Sequence, residues 1–372
     1  MRIKTKRHLT LLLVPLTLLM LTACGTNSDK ETKETTVKSG EVTLLKEPYK
    51  KEEFLMGTYV RVQIFDEGKE DVLDKTFDRI KELDKKITVN EKGSGSEIEA
   101  INDNAGIKPV KVSDDVYGLV EDSLYYSEDS KGGFDLTIGP ITELWHIGFD
   151  DARKPEQAEI DEALKLVDYH KVKLDDKEKT VFLEEKGMRL DLGAIAKGYI
   201  TDEAVQVLVD NGVTSGIVDL GGNIYVLGDS PRSKDGNWKI GIQDPNEARN
   251  TIAGSVTNKD MSLVTSGIYE RNLEVDGKLY HHLFDSKTGY PFENEIAGVT
   301  IISDTSTAGD GLSTGVFAMG VKNGMKYVED RKDIDAIFIT KEDHIYLSSG
   351  VQDRFVLNED SPYKVKDIKD LK

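Results

Sequence analysis

The sequence predicts an α+β protein in which helices pack against a mixed sheet, as one globular unit with two lobes. Strand-like and helix-like segments are intermixed without the regular strand–helix alternation of a doubly wound sheet, and no segment repeats. About 320 residues follow position 52. That length is sufficient for one large domain or for two lobes around a shared core.

The first element is a leader. Four basic residues and no acidic residue precede an apolar run over 9–21, which is short for a membrane span and typical of a secretory signal. The run ends in Leu-Thr-Ala-Cys-Gly at 21–25, the pattern of a bacterial lipoprotein signal. We therefore expect a signal peptide over 1–23, lipidation of Cys24 and an extracytoplasmic protein anchored to the cell membrane. Cys24 is the only cysteine, so lipidation would leave no thiol for a disulfide or for catalysis.

The second element is a tether. Residues 26–51 are rich in Ser, Thr, Lys and Glu, which predicts a flexible segment over 24–52 and a catalytic domain over 53–372. The formal net charge of the chain is −19, which argues against nucleic acid as a partner.

Periodicity predicts the elements of the domain in order. Strands are expected at 59–65, 216–220, 225–227, 238–243 and 299–302, and helices at 72–87, from Ser113, at 193–210, and from Thr307 or Asp310 to Met319.

The last predicted helix carries oxygen donors on one face. Asp310 and Thr314 are four residues apart and project side by side, with Ser313 adjacent. A carboxylate and a hydroxyl are ligands that Mg²⁺ prefers, and they leave positions for phosphate and water. The spacing alone is more typical of a solvated helix face than of a metal site.

Two further segments have open interpretations. Asp191 at a strand end and Lys197 in the helix after it suit a ligand with donors and negative charge. Alternatively, Asp191 caps the helix and Lys197 is a surface charge. The Gly-Gly-Asn turn at 221–223 is first a tight turn and second a phosphate cradle.

Two adjacent histidines, His281 and His282, precede Asp285 and a turn. Successive strand residues point to opposite faces, so at most one of them would enter a given site, as a general base or a hydrogen-bonding group. A zinc site is conceivable there, but no third nitrogen or sulfur ligand has suggestive spacing.

The order of these segments resembles the bacterial FAD:protein FMN transferase family, also called the thiamine-biosynthesis lipoprotein family. The resemblance covers nearly all of the chain from Phe54 and lies in motifs at 56–58, 133–140 with 144–145, 190–198, 219–223, 265–267, 282–289 and 308–315. Each motif is weak by itself, and the ordered set is specific.

The resemblance implies a mixed-sheet flavin transferase fold and a set of site residues. It implies that FAD is contacted by Met56, Gly133, Phe134, Asp135, Asp191, Lys197 and Phe284. It also implies that Mg²⁺, or Mn²⁺ in its place, is held by the Ala194 carbonyl with the side chains of Asp310 and Thr314, and that His282 is the base. The chain departs from the common family pattern at Gly193, Ser286 and Ser313.

The reaction implied is attack by a Ser or Thr hydroxyl of an extracytoplasmic acceptor protein on the FMN phosphorus of FAD, with release of AMP. FAD is then a substrate rather than a redox cofactor. Two other functions share parts of the site: a flavin-binding lipoprotein without catalysis, and a metal-dependent FAD pyrophosphatase that transfers the phosphoryl group to water.

Overall fold

The structure is a computed structural model that describes residues 42–89, 93–247 and 251–370. The predicted signal peptide, Cys24 and most of the predicted tether lie outside the described residues. Seven α-helices are found in the described part of the chain: α1 (Val72–Ile87), α2 (Glu97–Asp103), α3 (Asp114–Asp129), α4 (Gly139–Trp145), α5 (Gln157–Leu164), α6 (Ala196–Asp210) and α7 (Ser306–Glu329).

The strands are β1 (Leu44–Leu55), β2 (Thr58–Asp66), β3 (Val110–Lys111), β4 (Val172–Asp175), β5 (Thr180–Leu183), β6 (Ser215–Leu220), β7 (Asn223–Gly228), β8 (Trp238–Gln243), β9 (Ile252–Asn258), β10 (Met261–Gly267), β11 (Asn272–Val275), β12 (Lys278–His281), β13 (Ile296–Ser303), β14 (Ile334–Thr340), β15 (His344–Leu347), β16 (Phe355–Leu357) and β17 (Lys364–Lys366). Nine of them form one sheet in the order β1-β2-β6-β7-β10-β13-β14-β15-β17. Its pairs are antiparallel except β15 with β17, so the predicted mixed α+β class is confirmed.

The two faces of the large sheet have different coverings. On one face, apolar residues of β2 and β6 pack with the apolar stripes of α1, α3 and α6, and α7 packs on β13 and β14. On the other face, Phe65 and Val226 pack with Trp238 and the small sheet β16-β9-β8. The periodic spacing that predicted α1 and α3 places those stripes in the core, and the Ser113 hydroxyl caps α3 by accepting from the Val116 N–H.

The predicted boundary at residue 53 is wrong, because residues 44–52 form most of β1. The strand pairs antiparallel with β2 from Leu44↔Asp66 to Leu55↔Thr58. The many charged residues of this strand are the reason why the sequence predicted a tether there. They are compatible with an edge strand, where ion pairs such as Lys51–Asp74 at 2.7 Å stay accessible to water.

Helix boundaries differ from the prediction in two places. Helix α6 begins at Ala196, three residues later than expected, because Asp191 and Gly193 form a turn before it. Helix α7 runs to Glu329, beyond the predicted end at Met319. The expected end coincides with a local break, since Gly320 has φ 73° and ψ 168°. Among the described residues, no helix combines the length and apolarity that crossing a membrane requires.

Candidate active site where two helices begin

The start of α7 is fixed against α6. The Thr305 hydroxyl accepts from the Ala308 N–H, and the Asp202 carboxylate, which projects from α6, accepts from the backbone N–H groups of Ser306 and Thr307 at 2.7 and 2.8 Å. These bonds satisfy N–H groups that have no partner inside a helix. The first turns of α7, including Asp310, are therefore held in a defined position relative to α6.

Asp310 contacts the beginning of α6 directly. Its Oδ2 accepts from the Gly198 N–H at 2.8 Å, and its Oδ1 lies 3.4 Å from the Lys197 Nζ. A Cβ on Gly198 would lie 2.3 Å from the carbonyl oxygen of Ser306, so the two helices can approach this closely only with glycine at that position. Asp310 is buried, and Lys197 supplies the positive charge that a buried carboxylate needs.

The contact to Asp310 also leaves the Ala194 carbonyl available. In a regular helix the Gly198 N–H would donate to the carbonyl four residues earlier, which belongs to Ala194. Here that N–H donates to Asp310, and α6 begins only at Ala196. The Ala194 carbonyl oxygen therefore accepts no hydrogen bond from the Gly198 N–H, which would be its partner in a regular helix.

The three oxygen donors predicted to bind a cation belong to this junction. Asp310 and Thr314 lie one turn apart on α7 and are both buried, and the Ala194 carbonyl belongs to the turn before α6, which Asp310 contacts. A carboxylate, a hydroxyl and a carbonyl are the donor types that Mg²⁺ and Mn²⁺ prefer, so the residues fit such an ion. The described part of the chain has no cluster of three or more His, Cys, Asp or Glu side chains suited to a metal.

Ser313, one of the positions where the chain departs from the common family pattern, forms two hydrogen bonds in the structure. The Ser313 hydroxyl bonds to the Ser266 hydroxyl at 2.8 Å and donates to the Asp310 backbone carbonyl at 2.9 Å. Ser313 therefore joins α7 to β10, while Asp310 and Thr314 supply the acidic and hydroxyl oxygens of the junction.

Lys197 has a second partner, Asn223. Its Nζ donates to the Asn223 Oδ1 at 2.9 Å, and Asn223 is buried directly after the two-residue turn between β6 and β7. Gly221 and Gly222 both have positive φ, as that turn requires. The first interpretation of the Gly-Gly-Asn segment, a tight turn, is confirmed. No role for Asn223 was predicted from the sequence, although it lies within one of the family motifs.

Asp191 organises the segment before α6. One carboxylate oxygen accepts from the Gly193 N–H at 2.9 Å and the other from the Thr142 hydroxyl at 2.6 Å. The alternative that Asp191 caps the helix is wrong, since Ile195 occupies the cap position. Asp191 instead ties this segment to α4.

The loop at 133–135 rests on α7 next to Thr314. A Cβ on Gly133 would lie 3.4 Å from the Gly315 Cα and 3.2 Å from the Ala318 Cβ, so glycine permits the close approach. The Phe134 side chain is buried in the core. Asp135 accepts from the Thr137 N–H and hydroxyl, and burial raises the pKa of its carboxyl although those bonds oppose the rise.

Met56 occupies the tight turn between β1 and β2. It has φ 53°, and Gly57 follows with φ 71°. A left-handed conformation is unusual for methionine, and such outliers concentrate at functional sites. The turn predicted to contact FAD therefore contains a strained residue. Folding of the hairpin does not require methionine at this position, since Asn or Gly adopts the same backbone conformation more readily.

The two adjacent histidines have different surroundings. His281 is the last residue of β12 and is buried, with its Nε2 2.9 Å from the Phe292 carbonyl and its Nδ1 accepting from the Leu283 N–H. His282 follows the strand and is half-buried, with its Nδ1 3.2 Å from the Arg271 carbonyl. The two rings have different hydrogen-bonding partners, and His282 lies just beyond the end of β12 rather than within the strand.

The contact of His282 with Arg271 determines which ring nitrogen carries the proton. A carbonyl oxygen only accepts, so Nδ1 must be the donor and the lone pair lies on Nε2. Desolvation, together with smaller effects of the positive charges of Arg271 and Lys197, lowers the pKa of His282 to about 4. The imidazole is thus neutral at pH 7 with Nε2 able to accept a proton.

Phe284 and Ser286 connect this segment to the rest of the domain. Phe284 is buried against Trp145, with ring centroids 5.7 Å apart. The Ser286 hydroxyl donates to the Gly132 carbonyl at 2.7 Å, so serine at this departure position links the histidine segment to the loop at 133–135.

A cavity of about 980 Å³ runs along α7 beyond the junction. Its lining includes Lys131, Gly133, Asp285, Gly315 and Tyr327. Gly133 is shared with the predicted FAD residues, and Gly315 follows Thr314. The cavity is of a size that holds small-molecule ligands, and its lining does not include Ala194, Asp310 or Thr314.

The structure brings together the predicted residues Lys197, Asp310 and Thr314, with Ala194 and Gly133 adjacent. It places Gly57, the residue after Met56, and His282 next to Arg271. No sequence pattern indicated Arg271, because a single arginine has no distinctive spacing. Phe134, Asp135 and Phe284 are buried nearby in the fold, and their predicted contact with FAD stays a prediction.

Comparison with known proteins identifies relatives over most of the chain. A sequence profile of the ApbE family matches residues 56–338. A FAD:protein FMN transferase of Klebsiella pneumoniae is 40% identical over 313 residues, which span 84% of this chain and 95% of the relative. A FAD:protein FMN transferase of Treponema pallidum is 35% identical over 321 residues, or 82% of this chain and 88% of the relative.

Solved structures give the same result. The ApbE protein of Thermotoga maritima superposes with a TM-score of 0.75 at 31% identity, covering 82% of this chain and 98% of that one. The flavinyl transferase ApbE of Pseudomonas stutzeri superposes with a TM-score of 0.69 at 29% identity, covering 79% and 92% of the two chains.

Proposed function

The chain belongs to the ApbE family and is a transferase, and we propose that it transfers FMN from FAD to a Ser or Thr hydroxyl of an extracytoplasmic protein, with Mg²⁺ and release of AMP. Mn²⁺ is the alternative metal, since it accepts the same oxygen donors. The involvement of FAD and FMN is supported by these relatives, which are FAD:protein FMN transferases. The metal, the acceptor group and the leaving group are inferred from the site.

One observation carries the proposal: Asp310, Lys197 and the Gly198 N–H meet where two helices begin. Helix N-termini attract phosphate, and a lysine strengthens that attraction. Oxygen donors beside them suit a hard divalent cation. Such an arrangement is suited to bind the phosphates of a dinucleotide together with a metal ion.

The residues of the chain would divide the chemistry between them. When bound, the metal would offset negative charge that develops on the phosphate oxygens. Lys197 and the start of α6 would orient the phosphates. His282 would take the proton of the acceptor hydroxyl on Nε2 as the new oxygen–phosphorus bond forms and the bond from phosphorus to AMP breaks. Holding both reactants in line requires no covalent nucleophile from the chain.

The test uses the chain with FAD and Mg²⁺, with and without an extracytoplasmic extract from a strain that lacks this gene product. Transfer predicts a protein band with covalent flavin fluorescence, AMP in matching amount, and a flavin-bearing Ser or Thr peptide by mass spectrometry. AMP and FMN without a labelled protein would replace the proposal by a pyrophosphatase. Tight FAD binding without AMP would replace it by a flavin-binding lipoprotein.

We also propose that Cys24 is lipidated and that the domain lies outside the cytoplasmic membrane. The support is the signal pattern ending at Cys24. Cys24→Ala should lose incorporation of a labelled fatty acid and either leave the membrane fraction or remain unprocessed. Unchanged labelling would exclude this anchor.

A further inference from the structure

Arg271 lies directly opposite His282. The hairpin β11–β12 pairs Asn272 with His281, so the residues just beyond that pair, Arg271 and His282, face each other at the open end of the hairpin. The His282 N–H and the His282 Nδ1 both lie 3.2 Å from the Arg271 carbonyl oxygen. The backbone of Arg271 is therefore fixed to the backbone and the ring of the proposed base.

Two glycines define the course of the Arg271 side chain. A Cβ on Gly148 would lie 2.8 Å from the Arg271 Cδ, and a Cβ on Gly57 would lie 3.6 Å from its Nη2. Both glycines have positive φ, 99° and 71°. The aliphatic part thus crosses Gly148, and the guanidinium reaches the turn that holds Met56. A stem confined in this way loses less conformational entropy when the guanidinium binds a ligand.

The guanidinium is accessible and its charge is available. Arg271 is exposed, and no carboxylate among the residues that the structure describes forms an ion pair with it. By contrast Arg79 bonds to Asp115 and Glu203, and Arg331 to Asp129 and Asp333. The chain has 68 acidic and 49 basic residues, so carboxylates are abundant as partners for arginine. An arginine that lies next to a candidate base without forming an ion pair with a described carboxylate is therefore suited to bind an anionic ligand.

The chemistry of the proposed reaction indicates which anion. A general base must lie within hydrogen-bond distance of the attacking hydroxyl, and that oxygen must lie about 3 Å from the phosphorus it attacks. A cation fixed beside His282 therefore lies near the phosphate that is attacked, which is the FMN phosphate of FAD. Arginine suits this task because its planar guanidinium can bind two phosphate oxygens at once.

Resting on the proposed function, we infer that Arg271 binds the FMN phosphate of FAD and stabilises the charge on its oxygens during transfer. Lys197 and the metal donors lie at the helix junction, and burial with the charges of Arg271 and Lys197 depresses the pKa of the same imidazole. The phosphate would then be held between positive charge from two parts of the fold. In this role Arg271 neither forms nor breaks a covalent bond.

The test compares ligands with and without the phosphate. Arg271→Ala should weaken FMN binding about tenfold, measured by flavin fluorescence quenching, and leave riboflavin binding unchanged. Arg271→Lys should restore part of the loss, and Arg232→Ala, an exposed arginine beside Phe65 on the opposite face of the sheet, should change neither. Transfer to acceptor should fall about 10²–10³-fold in Arg271→Ala, as expected when one charge-stabilising donor is lost.

The outcomes separate this inference from the proposed function. Equal weakening of FMN and riboflavin, or no weakening of either, would contradict phosphate binding by Arg271. Because FMN and riboflavin binding needs no acceptor, the comparison can be made even if the parent chain transfers no flavin. In that case the proposed transferase reaction fails, and the role of Arg271 in binding phosphate is judged independently.

Discussion

The two halves of the candidate site are built differently. At the helix junction, Asp310 and Lys197 are held by direct bonds between α6 and α7, and Asp310 is buried. At the rim, Met56, Arg271 and His282 belong to turns and hairpin ends and are half-buried or exposed. Helices hold Asp310 and Lys197, which would bind the metal and phosphate, whereas turns and hairpin ends hold Arg271 and His282, which would act on the attacked phosphate and on the incoming acceptor.

The largest expected effect concerns the junction. Asp310→Ala should abolish metal-dependent AMP release, because it removes the only carboxylate among the proposed metal donors. It also leaves the buried Gly198 N–H without its acceptor, at a cost of about 1–3 kcal/mol in stability. Asp310→Asn is the matched variant, since it keeps an acceptor but not the charge. Thr314→Ala should be milder, because water can replace a neutral hydroxyl.

Two measurements check this expectation: Mg²⁺ binding by calorimetry and AMP release at limiting Mg²⁺. Loss of Mg²⁺ binding in both Asp310 variants, with stability retained in Asp310→Asn, would support the metal assignment. Normal turnover of FAD by Asp310→Ala at limiting Mg²⁺ would refute it.

The next effect concerns the rim and compares two adjacent histidines. His282→Ala should reduce FMN transfer about 10²–10⁴-fold, the usual effect of losing a positioned general base. FAD affinity should stay within about tenfold of the parent. His281→Ala should instead lower the melting temperature, because His281 is buried and bonded to the backbone at Phe292 and Leu283, while the folded fraction keeps its transfer rate. Transfer by His282→Ala at the parent rate would show that another group is the base.

A third effect concerns how closely the two helices approach. Gly198→Ala should destabilise the fold by about 1–3 kcal/mol, because its Cβ would lie 2.3 Å from the Ser306 carbonyl oxygen. The matched control is Gly118→Ala in α3, where a Cβ meets no atom within 4 Å. That change should stabilise by about 0.5–1 kcal/mol. Urea unfolding of both variants gives the comparison, and equal stability of the two would contradict close packing at Gly198.

The smallest effect concerns pH. The proposed base is active only when deprotonated, and His282 has a pKa lowered to about 4 by burial and by the charges of Arg271, His281 and Lys197. The kcat/KM for transfer should therefore be unaffected by this group from neutral pH down to about 5 and should fall tenfold per pH unit below about 4. An acidic limb near 6.5, the usual pKa of histidine, would mean that the surroundings of His282 do not lower its pKa as this structure indicates.

The sequence by itself determined the class of fold, the main helices and the family resemblance. These depend on local patterns: apolar spacing identified α1 and α3, and the four-residue separation of Asp310 and Thr314 placed them on one helical face. The ordered motifs indicated a flavin transferase, which the comparisons confirmed. Local patterns failed at β1, where the charges of an edge strand were interpreted as those of a tether.

Only the tertiary structure decided which groups meet. The bond from Gly198 to Asp310 spans 112 residues, and the contact of Arg271 with Gly57 and Gly148 joins three separate segments. Such contacts leave no periodic signal, because each depends on how helices and hairpins pack rather than on spacing along the chain. The tautomer of His282 is decided in the same way, since it depends on a carbonyl that the β11–β12 hairpin brings opposite the ring.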